Sequence, residues 1–164
     1  MIACGIDPGL DGGIAILVED GMIVVRPLPV LKAAKGGKRH FDLHGIRDIL
    51  WTFRNELHLV VVEQVSSRSG EGVTSAFRFG EGYGMLQGML TGMGMSYQMA
   101  TPQAWKKAVL AGTQKDKQAA IGFIQRRFPR VDLKATPRSR VPHDGMADVL
   151  CLALYARILM GGES

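Results

Sequence analysis

The sequence predicts an α/β fold built on one mixed sheet, and three observations predict it. Three short apolar runs at the N-terminal end are joined by tight turns, the pattern of an antiparallel meander. A helical stretch then leads into a fourth apolar run, so that this strand pairs in parallel with the first. The chain has 164 residues, enough for one domain with a sizeable core, and 46% apolar against 21% charged residues is ordinary for a globular protein.

Residues 2–7 read as a buried strand ending on Asp7, and Pro8-Gly9-Leu10-Asp11-Gly12-Gly13 is a turn cluster. Gly13 to Val18 reads as the second strand, Glu19-Asp20-Gly21 as a hairpin turn and Met22 to Arg26 as the third strand. Pro27 to Lys38 reads as a loop, made basic by Lys32, Lys35 and Lys38 with Arg39 and His40 beyond. A helix begins at Asp42 or His44, with Ile46, Ile49, Leu50, Phe53 and Leu57 at helical spacing. Residues 58–63 form the fourth strand, and their unbroken apolar character implies burial on both faces.

Ser66 to Gly72 is a polar loop, followed by a helix from Thr74 to about Thr91. Gly80, Gly84, Gly88 and Gly92 recur every four residues and share a face, with Met85, Met89 and Met93 beside them. An interior glycine costs a helix roughly 1 kcal/mol against alanine. The stripe therefore implies that another backbone approaches closely, either the sheet beneath or the same helix of a second copy. Phe77 and Phe79 read as core residues of this helix.

Residues 96–100 make a fifth strand; Thr101 then caps a helix whose first position is Pro102. Gly112 breaks that helix, and another starts at Lys115 or Asp116 and ends before Pro129. Residues 132–142 form a loop, and Asp144 to about Met160 is the last helix.

Composition narrows the function. A net charge of +5 and a pI near 9.5 suit a polyanionic partner. The first residues enter a strand directly, with no signal-peptide pattern. The longest uncharged stretch, Gly82 to Trp105, is interrupted by glycines and polar residues, which argues against a membrane span. Cys4 and Cys151 lie apart in apolar runs and read as reduced core residues of a cytoplasmic protein.

The chemistry concentrates in four acids. Asp7 and Glu63 each end an apolar strand, and such carboxylates are costly unless a cation meets them. Neighbouring strands lie about 4.8 Å apart, so adjacent strand ends can bring two acids together. Asp144 and Asp148 are four apart and share one helix face. An all-oxygen set suits Mg²⁺ or Mn²⁺, and two such ions can drive phosphodiester hydrolysis. Each acid also has a plainer reading: Asp144 as a first-turn residue, Glu63 as an exposed strand end, Asp7 as a turn aspartate. Asp148 is hardest to read that way, because Met146-Ala147 and Val149-Leu150 flank it. His143 reads either as a contact to phosphate or metal, or as a surface loop residue.

At these residues the chain resembles the RuvC-type Holliday junction resolvases of the ribonuclease H-like superfamily. The motifs are Gly5-Ile6-Asp7-Pro8-Gly9, Val61-Val62-Glu63-Gln64-Val65, and His143-Asp144-Gly145-Met146-Ala147-Asp148. Thr101-Pro102-Gln103-Ala104-Trp105-Lys106-Lys107 and Lys115-Asp116-Lys117 resemble the family's basic segments, in the same order. The resemblance implies a ribonuclease H-like fold: a five-stranded mixed sheet, a three-strand antiparallel meander plus parallel strands, flanked by helices.

It further implies a homodimeric endonuclease that cuts paired strands at four-way DNA junctions. Two Mg²⁺ ions serve each site, with Mn²⁺ able to substitute. Asp7, Glu63, Asp144 and Asp148 are the implied metal ligands and Lys117 the residue near the scissile phosphate. Lys106 or Lys107 is a second basic contact, and the spacing does not choose between them. Lys115 and Arg68 join the implied DNA contacts, and Arg138 and Arg140, just before the acidic helix, can grip phosphates.

Two departures stand out. The loop after Glu63, Ser66-Ser67-Arg68-Ser69-Gly70, lacks the aromatic residue common there in the bacterial enzymes. The last two acids are spaced by four where those enzymes use three, a pattern more like the phage and prophage branch. Other readings are a ribonuclease H-like nuclease on RNA–DNA hybrids or flaps, a non-catalytic junction-binding protein, and an actin-like ATPase. The last is disfavoured because the chain is too short for a second lobe.

Overall fold

The structure, a computed structural model, describes residues 1–18, 21–32, 39–66, 72–113 and 118–162. Strands β1 (Ile2–Asp7), β2 (Gly13–Leu17) and β3 (Ile23–Pro27) form the antiparallel meander. The Glu19-Asp20 part of the predicted hairpin lies outside the described residues. The stretch expected as a plain loop contains β4 (Val30–Leu31), which pairs antiparallel with β5 (His40–Phe41). Two-residue strands leave too little alternation to be read from sequence.

Helix α1 (Leu43–Thr52) follows, capped by Asp42, whose carboxylate accepts from the Gly45 amide at 2.9 Å. It leads into β6 (Leu57–Glu63), parallel to β1. Helix α2 (Val73–Gly92) then connects to β7 (Tyr97–Ala100), parallel to β6. The sheet order is β3-β2-β1-β6-β7, the mixed five-stranded arrangement the sequence predicts. Helices α3 (Pro102–Val109), α4 (Ala119–Arg127) and α5 (Asp144–Leu159) complete the chain.

Side-chain alternation along the strands divides the core in two. Cys4, Ile6, Ile14, Ile16, Val60 and Val62 pack with Ile46 and Leu50 of α1 and with Leu86 and Leu90 of α2. Ala3, Ala15, Leu17, Leu59 and Val61 pack on the other face with α3, α4 and α5. Helix α5 is the centre of that second core, and Val149, Leu150, Leu152 and Leu154 are at most 1% exposed. Each contributes roughly 1.5–3 kcal/mol of burial. Cys4 and Cys151 are buried free thiols.

Gly5 lets α5 lie directly on β1. A Cβ there would fall 2.2 Å from the Val149 carbonyl oxygen and 2.6 Å from the Ala153 nitrogen. No other residue type fits between strand and helix.

Helix α2 corrects two expectations. Its glycine stripe does not pack on the sheet: a Cβ at Gly80, Gly84, Gly88 or Gly92 would meet nothing within 4 Å. The helix buries Leu86 and Leu90 instead, and its close approach is at Gly82, where a Cβ would lie 2.6 Å from the Phe41 ring. Phe77 is no core residue either, being 71% exposed. Phe79 is half-buried and belongs to neither core cluster.

Candidate active site

Period-two alternation aims the two strand-end acids the same way. Asp7 follows Ala3 and Gly5 on the α5 face, and Glu63 follows Leu59 and Val61 on that face. The parallel register pairs Gly5 with Val61 and Ile6 with Val62, so Asp7 and Glu63 emerge side by side. Helix α5 crosses above Gly5 and brings Asp148 to the same end of the sheet.

Each of the two strand-end carboxylates is held by a hydrogen bond. The Gly9 amide donates to Asp7 Oδ1 at 3.0 Å. Gly12 completes that turn, since a Cβ there would sit 2.3 Å from the Asp7 carbonyl oxygen and 2.8 Å from its carboxyl carbon. Glu63 Oε1 accepts from the indole Nε1 of Trp105 at 2.9 Å, and Trp105 is fully buried. Trp105 is placed by the start of α3, where the Thr101 hydroxyl accepts from the Ala104 amide at 3.2 Å and Pro102 opens the helix.

Partial burial raises all three acids, and repulsion between carboxylates adds to the rise at Glu63 and Asp148. Burial lifts the Asp7 carboxyl, against the Gly9 hydrogen bond and the nearby His143. Burial also lifts Glu63, with Trp105 and Lys106 opposing and the charges of Asp7 and Asp148 adding to the rise. Asp148 is pushed up to about 6, mainly by burial, with Lys106 opposing and Asp7 and Asp144 adding. Half-buried carboxylates whose charged forms are disfavoured in this way are groups whose charge a nearby cation would stabilise.

By chemistry the donor atoms are of the kind a hard divalent ion takes: carboxylate oxygens from three elements, with Asp144 acting on Asp148 from the exposed first turn of α5. Among the described residues, however, no three His, Cys, Asp or Glu side chains are placed closely enough to hold a metal ion as they stand. His143 adds a buried Nδ1 that has no hydrogen-bond partner.

No protein-family model matches this chain, and no curated protein matches it. Among solved structures it is similar to Thermus thermophilus RuvC, at TM-score 0.60 and 23% identity over 98% of this chain and 97% of that one. It is also similar to T. thermophilus RuvC in complex with a Holliday junction substrate, at TM-score 0.62 and 20% identity with the same coverage. The fold is that of RuvC.

On this RuvC fold the lysine pair separates. Lys106 carries the charge that acts on both Glu63 and Asp148, and its Nζ sits 5.0 Å from the centre of the Trp105 ring. Lys107 is exposed and acts on none of the raised carboxylates. Arg138 and Arg140 are exposed on the segment before α5. Lys117, Lys115 and Arg68 lie outside the described residues, as do Lys35 and Lys38.

Three features escaped sequence reasoning. Trp105 is a positioning residue for Glu63, signalled only by its place one residue before Lys106. Asp11 is a fifth acid beside the centre; it lies near His143 and pairs with Arg39 at 2.8 Å, which ties that arginine to the β1–β2 turn. Gly145 accounts for the four-residue acid spacing. A Cβ at Gly145 would fall 2.8 Å from the Asp11 carbonyl oxygen and 3.1 Å from the His143 ring. The position three before Asp148 therefore has no room for a side chain, and the acid stands one residue earlier.

Proposed function

We propose that this protein is a divalent-metal-dependent endonuclease that cuts branched DNA, four-way junctions above all. The observation that carries the reading is the mutual influence of the half-buried Asp7, Glu63 and Asp148 beside Lys106. A binding surface for a polyanion gains nothing from three half-buried acids, whereas a hydrolytic centre needs them to hold cations.

Asp7, Glu63 and Asp148, with Asp144, would hold Mg²⁺ or Mn²⁺. Bound there, the ions supply a water activated at neutral pH and a counter-charge for the leaving oxygen. The chain's own residues orient the ligands and receive the substrate. Trp105 fixes the direction of Glu63 and the Gly9 amide that of Asp7. Lys106 balances charge beside two of the acids and offers its ammonium to a phosphate. Water adds to phosphorus, the bond to the 3′ oxygen breaks, and a 5′-phosphate and 3′-hydroxyl remain. Lys117, Lys115 and Arg68 join this centre by family resemblance, and exposed Arg138, Arg140 and Lys107 supply phosphate contacts that give affinity without sequence choice.

The likeness to a RuvC structure holding a Holliday junction supports the substrate class. Paired cuts need two centres, and the open stripe of Gly80, Gly84, Gly88 and Gly92 supplies a face on which a second α2 can lie closely. A homodimer through that face is part of this reading.

The test compares a four-way junction with linear duplex, flap and RNA–DNA hybrid, each with Mg²⁺ and with EDTA. Paired symmetrical nicks on the junction, present only with metal, are expected. Preferred cutting of hybrid or flap would move the substrate, and tight junction binding without cutting of any substrate would overturn the nuclease reading.

A further inference from the structure

We infer that a second pocket, sharing Glu63 with the carboxylate centre, receives a single unstacked nucleobase beside the cleaved phosphate. This rests on the nuclease reading above and adds a base-selecting site to it. The cavity is about 470 Å³ and is walled by Glu63, Gln64, Ser66, Phe79, Thr101 and Gln103. That volume is in the range of small-molecule sites.

The chemistry of the wall is that of base recognition. Phe79 supplies an aromatic plane, and Tyr83 stacks against it with centroids 6.1 Å apart and planes 12° apart. Tyr83 is in turn hydrogen-bonded to the backbone of Val65, two residues past Glu63. The Phe79 ring is thereby held at a set place relative to the acid. Phe79 itself belongs to neither core, and reaches the α1–α2 core only through Tyr83, which leaves part of its ring facing the pocket.

Gln64 and Gln103 each carry an amide that offers a donor and an acceptor together, the pairing that reads the edge of a base. Stacking on an aromatic face tolerates any base, while edge contacts discriminate. The pocket thus separates holding, by Phe79, from choosing, by the two glutamines. Because Glu63 belongs to both sites, the base that enters is on a nucleotide next to the phosphate being cut.

The test uses four-way junctions carrying 2-aminopurine at one position at a time around the cut, bound to Asp7→Asn protein with Mg²⁺. One position is expected to change its fluorescence on binding. Adding Phe79→Ala should remove that change there, and adding Phe77→Ala, on the exposed neighbouring turn, should leave it. In a second measurement, cleavage of junctions with each base at that position should show a preference in the Asp7-intact protein. Gln103→Ala should flatten that preference, and Phe79→Ala should weaken use of the position by roughly fivefold or more. Melting curves confirm that each variant is folded. A junction that is cut normally, with no position responding to Phe79→Ala, refutes the pocket alone. A junction neither bound nor cut by the wild type removes the nuclease reading, and the pocket falls with it.

Discussion

In metal-free solution this protein is expected to lose stability as pH rises, and Asp148 is the residue that isolates the effect. Its carboxyl titrates near 6 in the folded chain against 3.8 for an ordinary aspartate. The folded state then holds more protons than the unfolded state between those values. The stabilisation is complete below pH 4 and is lost as pH climbs through about 6. About two pKa units correspond to at most about 3 kcal/mol. For a chain of this length that is a melting shift of roughly 6–12 °C as an upper bound. The assay is thermal melting of wild type and Asp148→Asn in EDTA at pH 4 and pH 8. Asparagine mimics the neutral acid, so the two proteins should melt together at pH 4. At pH 8 the variant should melt higher, and Mg²⁺ should narrow that gap by stabilising the wild type. A difference between the two proteins that stays constant from pH 4 to pH 8 would refute the claim that Asp148 carries half-buried, repelled charge.

Asp7→Asn and Glu63→Gln should abolish cutting while keeping or tightening junction binding, measured by gel shift, because each removes negative charge near phosphate. Trp105→Phe keeps a large ring but takes the hydrogen bond from Glu63; cleavage should fall by about 10- to 100-fold at limiting Mg²⁺, the usual scale for a lost ligand-orienting partner. Gly84→Ala distinguishes a free α2 face from a paired one: in an isolated chain it should stabilise by about 1 kcal/mol, whereas in a helix seam it should weaken the dimer, read by sedimentation. Gly5→Ala should destabilise by about 2 kcal/mol or more, because its Cβ meets the α5 backbone and neither element can yield; denaturant unfolding measures it.

Patterns with a strong physical period were legible in the chain. The apolar runs ending on Asp7 and Glu63 became adjacent parallel strands because a helix between strands forces that pairing. Asp148 stood out because a charged residue inside an apolar helix has few innocent explanations. What depends on long-range packing was hidden. The direction of the glycine stripe depends on which side of α2 meets α1 and the sheet, and four-residue spacing alone is silent on that. The Trp105 bond to Glu63 spans 42 positions. The constraint on Gly145 comes from the β1–β2 turn pressed against it, a contact that no local pattern announces. Phe77 was misread because apolar character was taken as burial, a rule that holds in one direction only.

The distance along the chain between the acids has a consequence during synthesis. Asp7 and Glu63 are translated long before Asp148, and α5, which carries it, is also the helix on which one whole core is built. A half-made or C-terminally clipped chain therefore lacks both the last acid and the packing that would bring the other two into register. Proteolysis that removes α5 takes away the last carboxylate of the cluster and the helix that packs one core in one event, leaving no fragment in which the acids meet.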